Sequence, residues 1–191
     1  MSQSNRYTIS VAPTTEPVTV EEAKKNSIIE FDDDDAYVSG LIKVARQYVE
    51  EYLSRALITQ TWKLYLDCFP NVIEIPVPPL VSATITYVDT DGATQTESSA
   101  VYTVDTDSDP GIIYEAYNQN WSTPRDVEKA VIVTFVAGYG AADDVPDPIK
   151  QAIKLLVGHY YENREQTSPL TMKEIPMGIK MLLAPYRITS F

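Results

Sequence analysis

The sequence is poor in cysteine, histidine and basic charge. Cys68 and His159 are the only residues of their types among 191, so no internal disulfide can form and a cysteine-rich zinc site is excluded. Lys and Arg number 15 against 27 Asp and Glu, which gives a net charge of −12. Because nucleic-acid affinity comes largely from basic side chains that displace counterions, we do not expect a DNA-binding groove.

Long apolar runs and a targeting segment are also missing. No stretch reaches the roughly 18 uncharged apolar residues of a membrane helix. The start, MSQSNRYTIS, lacks the basic-then-apolar pattern of a signal peptide. We therefore expect a protein made in the cytoplasm, with no membrane partner. An apolar fraction of 44% favours a folded chain, and the length suits a single domain over residues 1–191.

Two helices are predicted near the start of the chain. The segment 16–27, EPVTVEEAKKNS, carries the capping-box pattern of Thr19 and Glu22. A longer helix over 37–57 has an apolar half, formed by Tyr37, Leu41, Val44, Tyr48 and Tyr52 with flanking Val38, Ala45, Val49 and Leu53. Arg46 falls on its polar half. The aspartates 32–35 that precede this helix are interpreted as its cap and a solvated turn.

Two further helices are predicted near the end of the chain. The first has Asp147 as its N-cap and Pro148 at its first position. Its apolar face includes Ile153, Leu156 and Tyr160, which we expect to share a core with Leu41, Val44 and Tyr48. The second lies in IPMGIKMLLAPYRI and stops at Pro185.

The intervening region has the period-two pattern of strands. Strands are predicted in ITQTWKLYL, NVIEIPVPPL, LVSATITYVDTDGATQTE, AVYTVD, GIIYEA and KAVIVTFVAGYG, with a hairpin turning at Asp91–Gly92. The predicted fold class is therefore α+β, with a mainly helical core of about four helices from both chain ends. A β-rich insertion at about 58–140 separates the second and third helices.

Three stretches raise the question of a chemical site. Gly138 and Gly140 precede a helix, but they lack the rest of a phosphate-loop motif, and Asp143, Asp144 and Asp147 would repel an anion. The segment Asp105–Glu115 alternates aspartates in the manner of a calcium loop, but its glycine and glutamate are each displaced by one position. We interpret it as a solvated hairpin loop and leave weak calcium binding open. A Cys68–His159 pair has no supporting motif.

Acidic residues concentrate in the β region. Residues 86–128 hold nine Asp and Glu against one basic residue, Arg125. A solvated β surface accounts for this charge. It would also suit a passage that DNA must traverse without sticking.

Three segments resemble tailed-bacteriophage head–tail connector (adaptor) proteins. They are VTVEEAKKNSIIE with DDAYVSGLIKVARQYVEEYLSRALITQTWKLYLD, then FVAGYGAADDVPDPIKQAIKLLVGHYYENRE, and finally IPMGIKMLLAPYRI. The resemblance implies a structural virion protein at the head–tail junction, without enzymatic activity or cofactor. It also implies a homo-oligomeric ring under the portal protein that extends the DNA channel and meets tail or neck-stopper proteins. DNA would pass through without sequence-specific binding.

The end of the chain is the predicted attachment element. It packs more apolar surface into a few turns than a terminal helix of a monomer easily buries, and its candidate partner-interface residues are Met177, Met181, Tyr186 and Arg187. The alternative is that this helix only seals its own domain. For the whole chain, the alternatives are another neck or tail-completion protein, or a small hydrolase using Cys68 and His159.

Overall fold

Eight strands and four α-helices make up the part of the chain that the structure, a computed structural model, describes: residues 6–163 and 177–188. The chain divides into two units. Residues 1–13 and 59–138 form the β unit, and residues 14–58 and 139–191 form the helical unit.

The prediction of a mainly helical fold is wrong. The fold is α+β with two antiparallel sheets, and one strand precedes all the helices. That strand, β1 (Arg6–Val11), pairs with residues 61–65 of the next strand. Its partner lies more than fifty residues away in sequence, so local periodicity did not reveal its place in the sheet.

The larger sheet of the β unit has the order β1-β2-β8-β4-β5, and the smaller has the order β3-β7-β6. All the predicted strands are present, and the hairpin turns at Gly92, which has φ +90°. Beyond β1, the strands are β2 (Gln60–Leu66), β3 (Val72–Glu74), β4 (Leu80–Val88), β5 (Thr94–Thr96), β6 (Tyr102–Asp105), β7 (Ile112–Glu115) and β8 (Val131–Ala137).

Strand β8 is the centre of the larger sheet. It pairs along its whole length with β2 on one side and with β4 on the other. Alternate residues, including Val131, Val133 and Phe135, are fully buried, as expected for a strand with one face on the core. The edge strand β1 is exposed throughout.

The helical unit contains α1 (Val20–Ser27), α2 (Asp35–Leu53), α3 (Asp147–Glu162) and α4 (Met177–Leu183). The capping box of α1 is confirmed: Glu22 N donates to Thr19 Oγ1 at 3.1 Å, and Thr19 N donates to Glu22 Oε2 at 2.8 Å. The predicted N-cap of α3 is wrong by one residue, because Asp147 is already helical and Pro146 caps the helix.

Helices α2 and α3 pack side by side, as predicted, and their apolar faces form one core. Ile42, Val49 and Leu53 of α2 are buried there with Ile153 and Leu156 of α3. Leu41 and Tyr48 pack against this core, but the prediction for Val44 is wrong. Its side chain is 51% exposed, because the buried stripe of α2 is centred on the residues that the sequence assigned to its flank.

Arg46 is buried, which corrects its assignment to the polar half of α2. Its Nε donates to Glu16 at 2.7 Å, and its Nη1 donates to Glu50 at 2.5 Å. Glu50 in turn accepts a hydrogen bond from Leu57 N. The two carboxylates hold the pKa of Arg46 above its ordinary value despite the opposing effect of desolvation. The triad ties the segment before α1 to α2.

Replacing Leu156 with Ala should lower the free energy of unfolding by about 2–5 kcal/mol, because the side chain is fully buried between helices. The neighbouring Leu155→Ala is the control: that side chain is 38% exposed, so its loss should be much smaller. Urea denaturation of both variants measures the difference. Equal losses would contradict the described packing of α3.

Candidate functional site

The C-terminal segment, residues 177–188, has one face in the core of the helical unit and one face in solvent. Ile179 and Leu183, four residues apart on α4, are 2% and 1% exposed. Leu182 packs against the same core, whereas Met181 is 73% exposed. Helix α4 therefore packs one side on the core and presents Met181 to solvent.

The residues after α4 are fastened to α2. Arg55 Nε donates to the carbonyl of Tyr186 at 2.6 Å, and Ile188 N donates to the carbonyl of Leu53 at 3.3 Å. The guanidinium of Arg187 lies 5.0 Å from the centre of the Tyr52 ring, within cation–π range. The segment is therefore held in a defined position along the end of α2.

Tyrosines surround this attachment. Tyr48 and Tyr52 stack with ring centres 6.3 Å apart, and Tyr186 packs against the core. Partial burial raises the pKa of Tyr48 and of Tyr160, so both stay neutral near pH 7. Partly buried Tyr and Arg side chains suit protein contacts better than acid–base chemistry.

The predicted interface residues differ in how exposed they are. Met181 is exposed, Tyr186 is half-buried, and Arg187 is exposed but lies over Tyr52. The side chain of Met177 lies outside the described residues. No local pattern in the sequence indicates the role of Arg55, because its contact with the carbonyl of Tyr186 spans 131 positions.

The glycine turn before α3 is already occupied by a carboxylate. Gly138 and Gly140 have φ of +131° and +134°. Asp144 Oδ2 accepts a hydrogen bond from Ala141 N at 2.8 Å, and a Cβ added to Gly140 would lie 2.3 Å from that oxygen. An anion would meet this negative charge, which supports the interpretation of a connection over that of a phosphate site.

In the aspartate loop between β6 and β7, the carboxylate of Asp105 accepts its hydrogen bonds from the loop itself. Asp105 accepts hydrogen bonds from Asp107 N at 2.9 Å, Ser108 N at 3.1 Å and Ser108 Oγ at 2.6 Å. Glu115 accepts from Trp121 N at 2.9 Å. Within residues 6–163 and 177–188, no three His, Cys, Asp or Glu side chains are grouped so that they could hold a metal ion. The arrangement favours a hairpin loop over a calcium site.

Cys68 and His159 belong to different units. Cys68 is an exposed residue of the β unit and is not in a disulfide. His159 lies on α3, where its ring contacts Tyr160 and its Nδ1 is 3.4 Å from Asn163 Nδ2. Among the described residues, the hydrogen-bond partner of the His159 ring is the amide of Asn163, and a carboxylate that would orient the ring for nucleophilic catalysis is not among its contacts there. Of the helices that the structure describes, none has the length and apolar character that a membrane crossing requires.

Comparisons with known proteins point to one family. The family profile of head completion proteins matches residues 16–189. The fold is similar to a chain in the virion of a native gene transfer agent particle, with a TM-score of 0.79, 21% identity, and coverage of 97% of this chain and 96% of that one. No curated protein sequence matches.

Two neck structures of that particle are also similar. One, from the empty particle computed with C6 symmetry, has a TM-score of 0.80, 20% identity and coverage of 97% of both chains. The other, from the native particle computed with C12 symmetry, has a TM-score of 0.75, 22% identity, and coverage of 98% of this chain and 96% of that one. At these identities the likeness shows the fold alone.

The hydrogen bonds to Asp105, led by that from the Ser108 hydroxyl, hold its pKa below the usual 3.8. A lowered folded pKa stabilises the loop above about pH 3.8, and this contribution is lost as the pH falls through the folded value. Ser108→Ala should therefore raise the pKa of Asp105 toward 3.8, as measured by NMR titration of its carboxyl carbon. Ser99→Ala, an exposed change elsewhere in the β unit, should leave it unaltered. An identical titration in both variants would contradict the hydrogen bond.

Proposed function

We propose that this chain, which belongs to the head completion protein family, forms a ring under the portal, extends the DNA channel and joins the head to the tail. The observation that carries the proposal is the family match over residues 16–189, which confirms the resemblance to phage head–tail connectors. The neck structures with the same fold support a location at the head–tail junction. A single connector domain over residues 1–191 stays a prediction.

A ring fits the kind of symmetry that the similar neck structures have. Their particles were computed with six-fold and twelve-fold symmetry. Cyclic rings need head-to-tail contacts between two different patches of each copy. Electron cryomicroscopy of the particles, with this chain tagged, tests the proposal directly. Tag density in a ring beside the portal supports it, whereas density elsewhere in the neck or tail favours another completion role.

The charge of the chain suits a channel that lets DNA slide. The β unit carries eleven acidic residues and four basic ones, and the whole chain has a net charge of −12. Two of the acidic side chains stabilise turns. Asp89 accepts hydrogen bonds from Asp91 N and Ala93 N, and Asp105 accepts one from Asp107 N. These residues can therefore stabilise the fold and repel phosphate at once.

The purified protein should bind duplex DNA more weakly than about 10⁻⁴ M at physiological salt, because a net charge of −12 opposes binding to phosphates. Fluorescence anisotropy with a labelled duplex at two salt concentrations measures this. Tight binding with a steep dependence on salt would show a basic face and contradict the channel role.

We further propose that the C-terminal segment attaches this chain to the portal or to a neighbouring copy. Met177, Met181, Tyr186 and Arg187 are the candidate contacts. Methionine adapts to irregular partner surfaces, and tyrosine and arginine are common in binding hot spots. The buried Ile179 and Leu183 would anchor the segment while its outer face meets the partner.

Met181→Ser should leave the melting temperature nearly unchanged, because the side chain is 73% exposed, but it should reduce the fraction of heads that acquire tails. We expect a reduction of about fivefold or more, which corresponds to one of the minority of interface residues that contribute about 1 kcal/mol or more. Val44→Ser, at a 51% exposed apolar residue of α2, is the control and should not reduce tail joining. Normal tail joining by the Met181 variant would refute its assignment to the interface.

A further inference from the structure

The connection between α1 and α2 displays two large apolar side chains to solvent. Ile28 is 83% exposed and Phe31 is 73% exposed. Ile28 ends α1 in the left-handed conformation, with φ 55°, which is unfavourable for a β-branched residue and usually falls to Gly or Asn. Folding of the unit gives no reason for isoleucine at this position.

This connection is held in place by its own ion pairs. Lys24 Nζ lies 2.7 Å from Asp32 Oδ1 and 2.6 Å from Asp35 Oδ1, and Asp34 accepts a hydrogen bond from the Tyr161 hydroxyl. Three of the four consecutive aspartates thus make contacts with α1 or α3 beside Phe31. We call Ile28 and Phe31 the apolar knob.

The knob is flanked by acidic side chains that are still available. Glu30 and Asp33 are exposed and make no ion pair within residues 6–163 and 177–188. A matching surface should therefore combine an apolar floor with an unpaired cation.

Such a surface lies on the same unit. A groove of about 340 Å³ opens beside the first residues of α1 and the first two turns of α3. Pro148 and Val18, which is 3% exposed, are its apolar lining residues, and the others are polar or charged: Glu22, Asp147, Lys150, Gln151 and Lys154. We call it the α1–α3 groove.

The charges of the α1–α3 groove are partly paired. Hydrogen bonds from Thr19 lower the pKa of the Glu22 carboxyl, and Lys154 lies near enough to that carboxyl to help lower it. Its two carboxylates, on Glu22 and Asp147, lie in the first turns of α1 and α3, where the helix dipole favours negative charge. Glu22 also accepts from Thr19 N, and Asp147 pairs with Lys150 at 3.1 Å. Lys154 makes no ion pair within 4 Å in the described part of the chain.

We propose that the apolar knob of one copy docks in the α1–α3 groove of the next copy, with Asp33 facing Lys154. This inference rests on the proposed ring and names its subunit contact. The knob follows α1 and Val18 of the groove precedes it, so the contact joins two different patches. Such a head-to-tail contact can close a ring, whereas a self-complementary patch would stop at a dimer.

Cross-linking tests the contact in assembled particles. In a Cys68→Ser background, the double variant Asp33→Cys/Lys154→Cys should give a ladder of covalent multimers on oxidation, because each chain then bonds both neighbours. Each single cysteine variant should give no ladder. Visible rings without a ladder would overturn the docking and leave the proposed function standing. Particles with no ring of this chain would refute the proposed function itself.

Competition measures the contribution of the knob. When tagged Phe31→Ala and untagged wild-type copies are co-expressed, the variant should enter particles at least about tenfold less often, the scale of an aromatic hot spot. Its melting temperature should be unchanged, because Phe31 is exposed. Tyr117→Ala, at a 91% exposed aromatic residue of the β unit, is the control and should enter normally. Normal entry of the Phe31 variant would overturn the inference.

Discussion

The packing of α2 against α3 is the contact on which the helical unit depends. The two helices lie far apart in the chain, yet their buried side chains form one core with Ile179 and Leu183 of α4. Helix α1 comes so close to α3 that a Cβ on Gly158 would lie 2.9 Å from Ser27 Oγ. Ile58 and Gly140 form a β-bridge, and Tyr139 N donates to Leu57 O, so the chain leaves and re-enters the unit at adjacent points.

Local patterns in the sequence predicted most of the helices and strands, but they did not predict how much of the fold is sheet or which polar side chains are buried. The capping box of Thr19 and Glu22, the turn at Gly92 and the strands β2 to β8 follow from short-range chemistry. Strand β1 depends on a partner far along the chain. Arg46 was assigned by its polarity, but two carboxylates compensate its burial, and one of them is thirty positions away. Such compensation cannot be read from periodicity.

The candidate site was only partly accessible from sequence for the same reason. Residue types pointed to Met181, Tyr186 and Arg187, but the bond from Arg55 that positions Tyr186 exists only in the fold. The acidic runs illustrate the reverse case. Asp32, Asp35 and Asp105 were interpreted as parts of a helix cap or of solvated turns, and the structure shows each one engaged by a lysine or by its own loop. The family membership, in contrast, follows from motifs in the chain and needs no coordinates.

The chain order of the two units sets the order in which they can form during synthesis. All eight strands lie within residues 6–137, so the β unit is complete before α3 is made. The two parts of the helical unit are separated by the 80 residues of 59–138. At the roughly 5–20 residues per second of translation, α2 waits on the order of 5–20 s for α3. During that interval the apolar side chains of Ile42, Val49 and Leu53 cannot pack against α3. The nascent chain then exposes an apolar helix face, which is the kind of surface that chaperones bind.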